Sequence, residues 1–341
     1  GIVSETHNSV GYVYLIGLMT KFSEVFGGFD TLVPRLFNVM CLSLISVLIY
    51  SMGQRLGLKK RTAIAAALFT GCLPLMVWVS AQTLRDILLT FIIVMLVFIW
   101  LPDKRGKWQY SLPILLILSC IFMIPLWEMR KGQALVALLF VGSSIVLNRR
   151  SFQPLQLVLL TLPIVIAGLY LVSIFFEFLS RDVGEMIGAI QSYAQMRGAG
   201  GTGGGLSLIV FETPIFPIGW IFRTGYAMVS PLPVVFGTFD TAWLSLGTIV
   251  HIFFLPFLFM GLLRTLFDPE WRSIAIIFAM LFMGMAMFTF TMRHIVQYLP
   301  FAILITSLGW ERYSGNPRYV WYSIAGSMAI LGVLYIALKT L

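Results

Sequence analysis

The 341-residue chain is 59% hydrophobic and only 11% charged, with a net charge of +9 and a mean hydropathy of +0.94. Such a composition leaves no room for a sizeable soluble domain. The Lys and Arg are scattered through short loops rather than gathered into a nucleic-acid surface, so no nucleic-acid partner is expected.

A bilayer core about 30 Å thick takes roughly 20 apolar residues per helix, because backbone polar groups there must be satisfied within the helix. The apolar stretches predict an all-α polytopic transmembrane bundle. Its spans are expected at 34–53, 62–81, 86–101, 110–126, 132–147, 155–178, 242–263, 273–291, 295–310 and 318–338. The whole of 1–341 reads as a single transmembrane domain. Residues 1–33 end a first external loop, 34–178 form a first helix group, 179–241 a long external loop, and 242–341 a C-terminal helix group. The chain opens at Gly1 without an initiator Met, a signal-peptide apolar region or a spanning helix, which predicts that more chain lies upstream.

Before the first span, residues 9–26 place Gly11, Tyr12, Tyr14, Leu15, Leu18, Met19, Phe22 and Phe26 at helical spacing, with Lys21 and Glu24 opposite. That pattern predicts an amphipathic helix lying in the membrane interface. Successive spans alternate in direction, so the loops sort into two sets. One carries Arg55 and Lys59 to Arg61, then Lys104, Arg105 and Lys107, then Arg149 and Arg150, Arg264 to Arg272, and Glu311 to Arg318. It is short and basic, which marks the cytoplasmic side. The other set faces outward and holds 1–34, the turns at 82–86, 127–131 and 291–294, and the long segment 180–240.

Within that long segment, Arg197 to Gly205 reads R-G-A-G-G-T-G-G-G. It has the glycines of a mobile tether and lacks the G-K-[ST] of a phosphate loop. Residues 209–226 are apolar but interrupted by Pro214 and Pro217, which suits a segment lying along the interface. Cys41, Cys72 and Cys120 all fall in apolar runs and are expected to pack as small apolar side chains. No repeat of 20–50 residues is visible.

The chemistry gathers in the outward turns. Arg85 adjoins Asp86, Glu128 precedes Arg130 and Lys131, and Arg293 adjoins His294. Arg35 opens a span on the same side, and Glu5 and His7 precede the interfacial helix. Taken singly, each charge could pair locally or extend into the headgroup region. Asp86 could be a favourable acid at a helix start, and Glu128 could pair with Arg130. Taken together, cations at every outward turn suit phosphate or lipid-phosphate recognition, where Arg offers a planar fork and Lys a point charge. Arg181 and Asp182, Glu177, and Arg223 with Tyr226 are weaker candidates near the long loop. No Ser-His-Asp order, HExxH, CxxC or Rossmann glycine pattern occurs. Two acids and a histidine on one face would tolerate a divalent metal, but no ligand spacing supports one, and no other cofactor is expected.

The stretch 7–100 resembles the GT-C type of polyprenyl-phosphate-sugar-dependent glycosyltransferases, including glycosyltransferase family 39 and the protein O-mannosyltransferases. The residues that carry the likeness are H-N-S-V-G-Y-V-Y-L-I-G-L at 7–18, F-G-G at 26–28, P-R-L-F-N at 34–38 and Y-S-M-G-Q-R-L-G at 50–57. It continues through A-I-A-A-A-L-F at 63–69, P-L-M-V-W-V-S at 74–80, L-R-D at 84–86 and R-H-I-V-Q-Y-L-P-F-A-I-L-I at 293–305. The family carries a catalytic Asp in its first external loop, then a His-Pro-Pro segment opening an interfacial helix, then an Arg opening the next span. His7 and Arg35 stand at the His and Arg positions, whereas Asn8 and Ser9 replace the prolines.

The resemblance implies an enzyme of a bacterial inner (plasma) membrane whose active site faces the periplasm or exterior. It would take a sugar from a polyprenyl (di)phosphate carrier and transfer it to a lipid, glycan or protein acceptor. The principal base would then lie upstream of Gly1, with Glu5, Asp86 or Glu128 as substitutes. Arg35, Arg85, Arg130, Lys131 and Arg293 would hold the phosphate, with His7 and His294 beside them. A polysaccharide polymerase or ligase acting on lipid-linked glycans is the alternative. A transporter or flippase fits less well, because mid-membrane breaks and paired repeats are not visible.

Overall fold

A computed structural model describes residues 10–25, 27–28, 32–82, 84–102, 109–147, 239–288, 292–313 and six positions between 318 and 329. Among them all regular structure is helical. The helices are α1 (Val10–Glu24), α2 (Leu32–Arg55), α3 (Lys60–Cys72), α4 (Pro74–Ser80), α5 (Asp86–Trp100), α6 (Leu112–Met129) and α7 (Lys131–Leu147). After the long segment come α8 (Phe239–Phe267), a 3-10 turn at Pro269–Trp271, α9 (Arg272–Phe288), α10 (Met292–Ile295) and α11 (Leu299–Arg312). Helices therefore coincide with eight of the predicted spans; 155–178, most of 318–338 and the loop 180–240 lie outside the described residues.

Two of these helices, α2 and α6, are long and apolar enough to cross a membrane, and α3 with α4 would make a third if taken as one broken span. At 24 residues α2 is about 36 Å long, enough for a hydrocarbon core of about 30 Å. On α6 the side chains of Ile114, Ile117, Ile121 and Ile124 form one exposed ridge, 47–66% accessible. A ridge of that composition on a helix face suits hydrocarbon rather than water. The expected span 62–81 is bent by 49° between α3 and α4. The hinge is Leu73, held extended at φ −60° and ψ 126°, because the ring of Pro74 disfavours the helical conformation for the residue before it.

Helix α5 is apolar all round and almost wholly buried, so it forms the axis of the bundle. It packs against α2 and α6; α3 covers α2, α7 covers α6, and α8 lies along α11. The α8–α11 contact is backbone-close. A Cβ on Gly261 would fall 2.0 Å from the Ile305 carbonyl oxygen, and one on Gly309 2.0 Å from that of Phe257. Small residues let helices approach this closely without lateral water to drive them together.

Long-range bonds tie the basic end of the bundle. Arg55 donates to the Phe98 carbonyl at 3.2 Å and to the side chain of Gln109, with its guanidinium 3.9 Å from the Phe98 ring centre. Trp271 Nε1 donates to the Leu56 carbonyl at 3.2 Å, and the Lys59 backbone N–H to Glu311 Oε2 at 2.8 Å. Helix α2 stops there because Gly57 adopts φ +85°, letting Leu58 N–H reach back to the Gly53 carbonyl.

The predicted interfacial helix exists as α1, but its faces differ from expectation. Tyr12 and Ser23 are buried and Leu15 and Ile16 pack on the bundle core, whereas Tyr14, Leu18 and Phe22 are 64–70% exposed. Two apolar stripes thus share one helix, one against protein and one outward. Of the cysteines only Cys41 is packed as expected; Cys72 and Cys120 are exposed on the helix surface.

Candidate functional site

Asp86 opens α5 at the end opposite the basic loops. Its place in the first turn sets the carboxylate near unpaired backbone N–H groups, where the helix dipole favours negative charge. The side chain is only 3% exposed, so its charge needs partners from other helices. Three converge on Oδ1. Arg130, at the junction of α6 and α7, brings Nη1 to 3.6 Å. His294, in the short helix α10, brings Nε2 to 3.8 Å. Gln297, in the turn before α11, donates Nε2 at 3.3 Å.

The scaffold behind this cluster is itself hydrogen-bonded. Arg85 donates Nη1 to the Met129 carbonyl at 2.9 Å, fixing the start of α5 against the end of α6. Asn38, fully buried in α2, donates Nδ2 to the carbonyls of Gln82 and Leu84 at 2.8 and 2.9 Å. The turn that presents Arg85 and Asp86 is therefore clamped from α2 and from α6. Thr90 adds a bond from its hydroxyl to the Asp86 carbonyl at 2.7 Å. Tyr12 of α1 closes the wall beside Asn38. Burial pushes its phenol above the usual tyrosine range, the neighbouring Asn38 side chain opposes this, and the Asp86 charge adds to it. Gln133, in the first turn of α7, is buried, and its Oε1 meets no hydrogen-bond donor among the described residues.

The sequence candidates divide accordingly. Asp86, Arg130 and His294 meet, and Arg85 stands directly behind them. Arg130 reaches the carboxylate of Asp86, a long-range pairing that local spacing with Glu128 did not suggest. Glu128, Lys131 and Arg35 are exposed outside the cluster, with Lys131 Nζ 5.8 Å from the centre of the Trp127 ring. Arg293 belongs to α10 next to His294, but its side chain lies outside the described residues, as do Glu5, His7, Glu177, Arg181, Asp182, Arg223 and Tyr226.

Gln297, Asn38 and Gln133 were not singled out from the sequence, and Tyr12 was read only as part of the amphipathic helix. For Gln297 a signal existed: it stands three residues after His294, the spacing at which one turn brings two side chains to the same side. Asn38 and Gln133 were each single amides within apolar runs, which is costly inside a bilayer unless the group is used.

What the cluster can do follows from its parts. A buried carboxylate beside an imidazole can exchange a proton, and a partly exposed guanidinium can hold an anionic oxygen. Among the described residues no group of three His, Cys, Asp or Glu could hold a metal ion. Compared with known proteins, the chain matches no family model, no curated protein and no solved structure.

Proposed function

We propose that this protein is a multi-pass membrane glycosyltransferase acting on a sugar carried by a polyprenyl (di)phosphate, on the face opposite its basic loops. The observation that carries the reading is the meeting of Arg130, His294 and Gln297, from two distant parts of the chain, on the carboxylate of Asp86 at that one end. The resemblance supports it, since L-R-D at 84–86 and R-H-I-V-Q at 293–297 supply Asp86, His294 and Gln297, while Arg130 lies outside the matched motifs.

In this reading a carboxylate accepts the proton of the acceptor hydroxyl as its oxygen bonds to the anomeric carbon of the sugar. The bond from that carbon to the carrier phosphate breaks, and the phosphate leaves with the electron pair. Arg130, with Lys131 and Arg293 from the neighbouring turns, neutralises the charge that develops there. Arg85 and Asn38 hold the turn in place. Asp86 serves either as the proton acceptor or as the group that orients His294 and Arg130 toward it.

The test is consumption of polyprenyl-phosphate-linked hexose or pentose by the protein reconstituted in liposomes, with product size read on a gel. Release of free polyprenyl phosphate with one sugar added to the acceptor supports the reading, and its loss in Asp86→Asn and Arg130→Ala assigns the site. A ladder of products would instead mark a polymerase or ligase, and translocation of the intact lipid without a covalent product a flippase.

A further inference from the structure

Between α3, α8 and α11 lies a groove of about 300 Å³, whose upper end at Leu299 is two residues from the Gln297 that reaches Asp86. Phe69, Leu73, Leu258, Ala302 and Trp310 line much of it. Thr62, His251, Thr306 and Ser307 also border it; the last two hydroxyls each donate to a carbonyl of their own helix, at 2.7 and 2.8 Å, and the rest of the lining is apolar. The groove runs from Leu299 to Trp310 on α11 and from Thr62 on α3 to the hinge at Leu73, eleven helical rises on each side. At 1.5 Å per residue that is about 17 Å, close to the depth of one leaflet, half of a hydrocarbon core of about 30 Å.

Its lower end opens at the basic rim. The Lys59 N–H bond to Glu311 brings the start of α3 against the end of α11, so Lys60, Arg61 and Arg312, all exposed, border the same mouth. A narrow apolar slot one leaflet deep, ending at three exposed cations, is complementary to a lipid with an anionic headgroup. A volume of 300 Å³ sits at the lower limit of ligand sites, which admits one chain and not two.

We propose that this groove binds one acyl chain of an anionic glycerophospholipid, with its phosphate headgroup on Lys60, Arg61 and Arg312. The site is separate from the Asp86 cluster and stands whether or not the protein transfers sugars. A polyprenyl carrier serving Asp86 would need its headgroup at the opposite end of the bundle from Lys60, Arg61 and Arg312.

The full chain is reconstituted in phosphatidylcholine nanodiscs doped with phosphatidylglycerol that bears a diazirine at the end of one acyl chain. Irradiation is expected to label peptides of α8 and α11 around Leu258 and Ala302. Replacing Lys60, Arg61 and Arg312 together by Gln should reduce that label at least about tenfold, since each cation at an anionic lipid surface is worth roughly a fivefold factor. Ala302→Phe should block the label by filling the slot; should that variant not fold, the surface triple variant carries the test alone. Equal labelling by diazirine phosphatidylcholine, preferential labelling by a diazirine polyprenyl phosphate, or no label in the groove would each overturn the proposal.

Discussion

Arg85 and Met129 are joined by a hydrogen bond from Nη1 to the carbonyl at 2.9 Å, and the residues that follow them, Asp86 and Arg130, are themselves an ion pair at 3.6 Å. One bond sets the register of α5 against the end of α6, and the pair beside it inherits that register. The buried charge of Asp86 is thus placed by its own neighbour in sequence.

That coupling predicts how the pair responds to mutation. Asp86→Leu leaves Arg130 facing apolar surroundings, with its side chain only 22% exposed, and should cost about 3–5 kcal/mol, while Asp86→Leu with Arg130→Met should recover much of the loss. Thermal unfolding of the two single variants and the double variant in one detergent gives the coupling energy directly. An additive cycle would mean the two groups do not interact.

Asn38 should matter through geometry. Asn38→Leu removes both donors from the carbonyls of Gln82 and Leu84, leaving two partly buried acceptors without that partner, at up to about 1–3 kcal/mol each. Asn38→Asp keeps the size but turns a donor into an acceptor facing those carbonyls, so it should be as damaging as Asn38→Leu. Equal stability of Asn38→Asp and the native chain in a thermal-unfolding scan would contradict the clamp.

Much of this arrangement was legible in the sequence, because hydrophobic length alone places most of the helices. Asp86, Arg130 and His294 were visible as scarce charges at helix ends. The bend at Leu73 was also in principle readable, since Pro74 forces its predecessor out of the helical region. Which charges meet was not readable. Arg130 had a carboxylate two residues away in Glu128, and only the packing of α5 against α6 shows that it reaches Asp86. The face of α1 misled for a similar reason. A helix with one stripe on protein and another on lipid has too little polar surface for periodicity to tell the two apart.

The α8–α11 crossing should tolerate no side chain. Gly261→Ala or Gly309→Ala puts a methyl group into a carbonyl oxygen of the facing helix, so the helices must separate. Overpacking of this kind costs about 1–3 kcal/mol or more, and here it acts where Phe257 packs tilted against Trp310, with ring centres 4.8 Å apart. Both variants are expected to lower the unfolding temperature markedly and to reduce the yield of monodisperse protein. Gly326→Ala, a helical glycine with nothing within 4 Å of the added methyl, is the matched control and should unfold no earlier than the native chain.

Gly11 offers the sharpest separation of docking from folding. A Cβ there would lie 2.8 Å from the Cβ of Glu128 and 3.5 Å from Met129 Cγ, so Gly11→Val should lift the start of α1 off the end of α6. Gly17, on the same helix, has nothing within 4 Å, and Gly17→Ala should leave docking intact while adding about 0.5–1 kcal/mol of helix stability. Because Tyr12 stands beside Asn38 in the wall of the site, lifting α1 should open the Asp86 cluster to water without unfolding the bundle. Modification of His294 by diethyl pyrocarbonate reads this: its side chain is 7% exposed in the native fold, so the Gly11→Val protein should react several times faster at an unchanged unfolding temperature. Equal rates in Gly11→Val, Gly17→Ala and the native chain would show that α1 does not cover the site.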